Sequence, residues 1–181
     1  MKDNNKIQRR DPHFKSPKGM HDILPQDAAL WGRIYKQLHE IASAYHFQFI
    51  ETTILESAEL FEVSLGATSD VVEKQMFTFK TRGGDLLVLR PECTASVARA
   101  YIQHGLAHLG RPLKLYYHGP MFRYEQPQAG RFRQFHQAGF EIIGGDEDPV
   151  YDAQAILVAV RFLESLKFKN FVVKLNSIGC K

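Results

Sequence analysis

The sequence predicts an α+β domain, an antiparallel sheet flanked by helices. Two observations carry this expectation. From about residue 75 to residue 144 most strand-like runs follow one another through short turns, which favours antiparallel pairing because a parallel pair needs a long crossover. The longest stretches with the three-and-four spacing of a helix face lie toward the two ends of the chain, at 27–45 and 149–166, so no regular strand–helix alternation is present. A length of 181 residues with 44% hydrophobic and 24% charged side chains suits one soluble globular domain with a sizeable core.

In chain order, residues 1–16 are polar, charged and aperiodic and read as a flexible basic arm, with the folded domain over 17–181. "SPKGMHDILPQD" is a loop punctuated by Pro17, Gly19 and Pro25. A helix starts from Asp27, placed to cap it, and carries Trp31, Ile34, Tyr35, Leu38, Ile41, Ala42 and Tyr45 on one face. "FQFIETTIL" reads as a strand and "SAELFEVSLG" as a short helix ended by Gly66. Residues 76–80 and 86–90 form a hairpin about Gly83-Gly84. Residues 91–104 read as a helix with Val97, Ala98 and Tyr101 on a shared face. "LKLYYHG" and "PMFRYE" are two strand segments on either side of a Gly-Pro step, "QPQAG" is a loop, and "RFRQFHQAGFEIIG" is a further strand. Asp148-Pro149 opens a last helix that runs to about Leu166, and "FVVKLN" closes the chain as a strand.

Several classes of function are excluded at this level. No run approaches the ~18 apolar residues of a membrane span, and the basic N-terminus lacks the apolar stretch of a secretory signal. Cys93 and Cys180 match no metal or redox spacing, which points to a reduced, cytoplasmic compartment. His104 and His108 have helical metal spacing, but Gly105 and Gly110 break the helix there, so no metal site is expected. Neither a dinucleotide fingerprint nor a phosphate-binding loop of the GxxxxGK[ST] type occurs. A net charge of +3 permits a nucleic-acid partner without requiring one.

Strand alternation sorts the residues that could carry chemistry. In "RFRQFHQAGFEIIG" the odd positions are Arg133, Phe135, Gln137, Gly139 and Glu141, and the even ones are Phe132, Gln134, His136, Ala138, Phe140 and Ile142. The even face turns apolar and suits packing against helices. The odd face offers a guanidinium, an aromatic ring, an amide and a carboxylate in series, with a gap at Gly139, and Arg123 and Glu125 repeat the theme just before it. A solvated sheet face would alternate in the same way. Phe135 amid the polar groups favours a ligand, since its ring can stack on a flat base, while Arg123, with Arg131 and Arg133 nearby, can grip phosphate. Glu92 and Thr94 stand where a strand passes into a helix, placed either to face a ligand or to serve as helix cap and dipole complement. Cys93 between them reads as a small packing residue.

Taken together, "KGMHDILP", "TSDVVEKQMFTF", "LRPECTA", "GPMFRYEQPQAGRFRQFHQAGFEIIG" and "LNSIGC" resemble, in this order from Lys18 to Cys180, the histidyl-tRNA synthetases, a family of class II aminoacyl-tRNA synthetases. "FRYE" followed by "GRFRQFHQ" resembles class II motif 2 in the form of the histidine enzyme. The resemblance implies a class II antiparallel sheet flanked by helices, a homodimer, and a ligase that uses ATP and Mg²⁺ to activate histidine as histidyl-adenylate and then charges tRNA-His. It implies that Arg123 is catalytic and holds the α-phosphate of ATP, that Glu125 contacts the adenine end, that Phe135 stacks on adenine, and that Arg131 reaches the outer phosphates. Glu92, Thr94 and Gln137 would receive the histidine ammonium and Glu141 the imidazole. Gln126, Gln128 and Arg131 would meet the tRNA acceptor stem.

The sequence departs from the family pattern at three places: Cys93 stands where glycine is usual, Thr53 where motif 1 has proline, and Gln126 where arginine is common. Motif 3, the histidine-specific arginine segment and the anticodon-binding domain would lie beyond this sequence. The resemblance is therefore to an N-terminal part of the catalytic domain, truncated before motif 3 and expected to be inactive alone, with a C-terminal part in the same chain or encoded separately. The alternative is a non-catalytic paralogue resembling the regulatory subunit of ATP phosphoribosyltransferase, which senses histidine without making adenylate.

Overall fold

The computed structural model describes residues 14–66, 68–145 and 148–176. Most of the expected basic arm, and the end of "LNSIGC" with Cys180, lie outside the described residues.

Helix α1, Pro25–Ala44, starts two residues earlier than the expected Asp27. Proline at the first turn already has a helical φ, so the helix begins there and no side chain caps it. Asp27 instead lies in the first turn, where its carboxylate complements the helix dipole. Leu38 and Ala42 are buried on the expected face.

The single strand expected in "FQFIETTIL" splits into β1, Gln48–Phe49, and β2, Leu55–Ser57. Between them the chain leaves one sheet and enters another. The Ile50 N–H still reaches the Tyr116 carbonyl at 2.9 Å, whereas Thr52 accepts twice from the buried Arg90 guanidinium, through its carbonyl at 2.9 Å and its hydroxyl at 3.0 Å. Helix α2, Ala58–Leu65, ends at Gly66, whose φ of 85° favours glycine. After a π turn at Val71–Gln75 come β3, Phe77–Lys80, and β4, Leu86–Leu89, paired antiparallel as expected. β2 joins them in the order β2-β4-β3.

Helix α3, Thr94–Gln103, buries Ala95, Ser96, Val97 and Ala100. Ala98, expected on the inner face, is exposed. The buried stripe is displaced because α3 packs two ways at once: Ala95 meets Phe61 and Val88 beside the small sheet, and Val97 meets Leu113, Leu115 and Met121 of the larger one.

A ten-residue ladder follows, formed by β5, Leu113–Phe122, and β6, Gln134–Ile143, antiparallel from Leu113↔Ile143 to Phe122↔Gln134. The Gly119-Pro120 step does not divide β5, contrary to expectation. Even-numbered positions of β5 turn their backbone groups outward, as the Tyr116 carbonyl does toward Ile50. At Pro120 that side is the strand edge, where a missing N–H is tolerated and the carbonyl takes the Arg90 Nε at 3.1 Å. β1 pairs with β5 in parallel, an exception to the antiparallel expectation made possible by the long connection through β2, β4 and α3. The order in this sheet is β1-β5-β6.

Helix α4, Val150–Ser165, starts one residue later than expected, with Pro149 rather than Asp148 at the cap position, although the Asp148 carboxylate still accepts the Val150 N–H at 2.9 Å. With α1 it covers the even face of β5 and β6, where Leu38, Phe47, Tyr116 and Val158 are buried against Phe140 and Ile142. "FVVKLN" is not a strand. Val172 is 82% and Leu175 is 75% exposed, and a strand-forming composition does not make a strand where no neighbour supplies the hydrogen bonds.

Candidate functional site

The polar groups singled out in the sequence fall into two patches on the odd face of β6. At its N-terminal end the ladder continues past β5, because the Arg123 N–H reaches the Arg133 carbonyl at 2.9 Å. Arg123 gives its Nε to the Pro91 carbonyl at 3.0 Å and sets its guanidinium carbon 5.3 Å from the centre of the Phe135 ring. Glu125 pairs with Arg131 at 3.7 Å, while Arg133 stacks on Tyr124 and bonds the Glu125 carbonyl at 3.0 Å. Arg123, Glu125, Arg131 and Phe135 thus line one open cleft of about 620 Å³.

The connecting loop is a tight turn. Gln128 and Arg131 exchange backbone hydrogen bonds at 2.9 and 3.2 Å, and Gly130 takes the left-handed φ of 78°. Gln126 and Gln128 are exposed on it. Gly19 supports its base: its carbonyl accepts the Arg133 N–H at 2.7 Å, and a Cβ there would come within 2.9 Å of Pro127. The sequence marked Gly19 only as loop punctuation.

The second patch lies roughly 20 Å further along the strand. Both oxygens of Glu92 accept backbone N–H groups at the start of α3, from Thr94 at 2.6 Å and Ala95 at 3.0 Å. The Thr94 hydroxyl donates to Glu141 Oε1 at 2.8 Å. Glu92 thus caps the helix, while Thr94 faces the strand. Burial raises the Glu141 carboxyl above the ordinary range, hydrogen bonds from Thr94 and Tyr117 oppose the rise, and the charge of Glu92 adds to it. Between the patches, the side-chain oxygen of Gln137 is buried without a hydrogen-bond partner among the described residues.

The gap expected at Gly139 is filled. Tyr117 stands opposite it in the ladder and is 3% exposed; a Cβ on Gly139 would overlap its ring carbon and hydroxyl oxygen. Tyr117 was missed in the sequence because, within "LKLYYHG", it looks like any core aromatic. Cys93 is buried at this end with its Sγ 3.4 Å from the Thr52 hydroxyl, and burial pushes its thiol up, in keeping with a packing role.

Residues 19–180 match the family model of histidyl-tRNA synthetase. The chain belongs to the histidyl-tRNA synthetase family. A histidine–tRNA ligase of Dehalococcoides mccartyi is 47% identical over 168 residues, which are 93% of this chain and 40% of that protein. The solved apo histidyl-tRNA synthetase of S. aureus is 40% identical with a TM-score of 0.70, over 84% of this chain and 34% of that one. A Bacillus halodurans structure described as an ATP phosphoribosyltransferase regulatory subunit/histidyl-tRNA synthetase is 29% identical with a TM-score of 0.74, over 88% of this chain and 40% of that one. The chain therefore spans about two fifths of the length of the first of these relatives, and its α+β architecture is that of the class II histidyl-tRNA synthetases. Among the described residues no helix is long and apolar enough to cross a membrane.

Proposed function

We propose that this chain supplies the ATP- and histidine-facing floor of a histidine–tRNA ligase that activates histidine as its adenylate and charges tRNA-His. The observation that carries the reading is the order of groups along one face of β6: an arginine–aromatic cleft at one end, a hydroxyl-bound carboxylate at the other, and an unpartnered amide oxygen between. A histidine laid along it directs its imidazole N–H to Glu141, its ammonium to Gln137, Thr94 and Glu92, and its carboxylate toward the cleft. An unpaired buried acceptor costs about 1–3 kcal/mol, and an ammonium N–H at Gln137 removes that cost.

In the cleft, Phe135 offers its ring to adenine and Glu125 its carboxylate to the adenine amino group. Arg131 takes the outer phosphates, and Arg123 takes the α-phosphate, where charge accumulates as the histidine carboxylate displaces pyrophosphate. Among the described residues no group of three or more His, Cys, Asp or Glu side chains is placed to hold a metal ion. Mg²⁺ would therefore arrive already held by the ATP phosphates, since Glu125, the one carboxylate of the cleft lining, faces the adenine end. Bound there, it would neutralise phosphate charge. Gln126, Gln128 and Arg131 face the acceptor stem from the loop. Ile54 and Leu55, 43% and 49% exposed beside Thr53, offer apolar surface to a second copy, consistent with a cytoplasmic homodimer.

Calorimetry on this chain tests the reading. Histidine and ATP should each bind, Arg123→Ala should weaken ATP binding by about tenfold or more, at least ~1.4 kcal/mol, and ATP–pyrophosphate exchange should be strong only in the full-length protein. An Arg123→Ala chain that binds ATP as the parent does would overturn it. The likeness to the Bacillus halodurans protein makes a histidine-sensing regulator the second reading. Histidine binding that ATP leaves unaffected, together with failure to bind tRNA, would favour that one.

A further inference from the structure

We propose that Tyr117 is a positioning residue for Glu141: together with Thr94 it fixes the carboxylate as a hydrogen-bond acceptor, and Gly139 is bare so that the Tyr117 ring can cross the neighbouring strand to reach it. The identity of the ligand that Glu141 receives rests on the histidine reading above, whereas the relation between Tyr117 and Glu141 does not.

Packing alone does not call for a hydroxyl here. Tyr117 shares its cluster with Cys93, Val97, Leu113, Leu115 and Met121, a set that phenylalanine would fill equally well. A buried phenol needs a polar destination, and the groups around it are Thr94 and Glu141, with Glu92 and Cys93 behind them. The register explains how it gets there. Tyr117 lies directly opposite Gly139, and Leu115 lies opposite Glu141, so the tyrosine reaches its carboxylate diagonally across the ladder. That path runs over the Gly139 Cα, where even a methyl group would overlap the ring. The obstacle is the ring of a buried side chain rather than the loose end of a flexible one, so alanine at 139 displaces Tyr117.

The consequence is chemical. A carboxylate that accepts a hydrogen bond from the Thr94 hydroxyl at 2.8 Å and, on this proposal, a second from Tyr117 is held in one orientation as an acceptor, with lone pairs left for N–H donors. An imidazole N–H satisfies them; a thioether or an alkyl side chain of similar size does not. The charge of Glu92 and the burial of Glu141 both work against the ionised form, so the two hydroxyls are what keep it available near neutrality.

The test is a carboxyl-carbon NMR titration of Glu141 in this chain and in Tyr117→Phe, Thr94→Val and Gly139→Ala, paired with histidine calorimetry. Tyr117→Phe keeps the ring and loses only the hydroxyl; its Glu141 midpoint should rise by about one pH unit, a tenfold change in proton affinity. Thr94→Val and Gly139→Ala should move it in the same direction. Histidine affinity near neutral pH should fall roughly tenfold in Tyr117→Phe, with ATP affinity unchanged. An unmoved midpoint in folded Tyr117→Phe overturns the positioning role, even if both proteins bind histidine. A shifted midpoint in a chain that binds no histidine upholds the positioning role and removes the histidine reading instead.

Discussion

Glu141 combines a functional placement with a cost to the fold. Its pKa is raised in the folded chain, so near neutral pH the unfolded state holds the ionised carboxylate more comfortably than the native state does. The contribution to stability is therefore full below the ordinary carboxylate value and is lost as pH rises through the folded value. Glu141→Gln keeps an acceptor for the Thr94 hydroxyl while removing the charge. Thermal melts should show this variant more stable than the parent at neutral pH and indistinguishable from it in acid, with histidine binding reduced at least tenfold, about 1.4 kcal/mol or more. A variant that melts below the parent at neutral pH would show that the buried charge is fully compensated. Parity along the strand made Glu141 visible in the sequence. Tyr117 was not visible, because which residue stands across from Gly139 is a property of the ladder and not of either segment.

Helix α1 rests on a seam of aromatic and imidazole rings. Tyr35 stacks on His118 at 4.2 Å between ring centres, and Trp31 lies 4.4 Å from His136. Burial lowers the pKa of both imidazoles. The charge of Glu51 opposes the effect at His118, and neighbouring His118 reinforces it at His136. The shared cavities around His136 also bring His21, Asp22, Asp27, Arg123, Glu125 and Arg131 near it. Because the unfolded chain takes up these protons first, stability from the seam is present above the ordinary imidazole value of about 6.5 and falls as pH drops below it. Amide protection in α1, after correction for the intrinsic exchange rate at each pH, should fall on acidification from about pH 7.5 to about pH 5.5, and His136→Gln should flatten that dependence. Corrected protection in α1 that is the same at both pH values would rule the seam out. The helical face of α1 was legible because its period is local. Its first residue was not, since proline displaced the expected cap. "FVVKLN" shows the opposite limit: its composition is that of a strand, but only a neighbour can make it one.

At the scale of the whole molecule, two three-stranded sheets are held together by α3 and by one buried arginine. Arg90, 3% exposed, bonds Pro120 of β5 and Thr52 of the crossing segment, and its own carbonyl accepts the Phe122 N–H at 3.0 Å. Gly119 leaves room for it, since a Cβ there would lie 2.8 Å from the guanidinium. Arg90→Lys has one compact ammonium where the guanidinium spans two carbonyls, so urea unfolding should show a loss of about 2–3 kcal/mol. Gly119→Ala should destabilise in the same direction by crowding that guanidinium. A lysine variant as stable as the parent would mean that α3 alone joins the sheets. The cleft lined by Arg123 adjoins this junction through the hydrogen bond from Arg123 to the Pro91 carbonyl, so on the proposed reading Arg90→Lys should also weaken ATP binding, which calorimetry would read.

Whatever repeats over a few residues could be read from the amino-acid order: the inner face of α1, the hairpin of β3 and β4, the even–odd division of β6, and, through its motifs, the family. Tertiary structure alone decided the chain's passage from β1 into β2, the parallel pairing of β1 with β5, the bridge made by Arg90, and the ring of Tyr117 lying over Gly139. The physical reason is that periodicity arises from bonds within a turn or a pleat. Register and buried hydrogen bonds join residues tens of positions apart, and those partners are fixed only when the core closes around them.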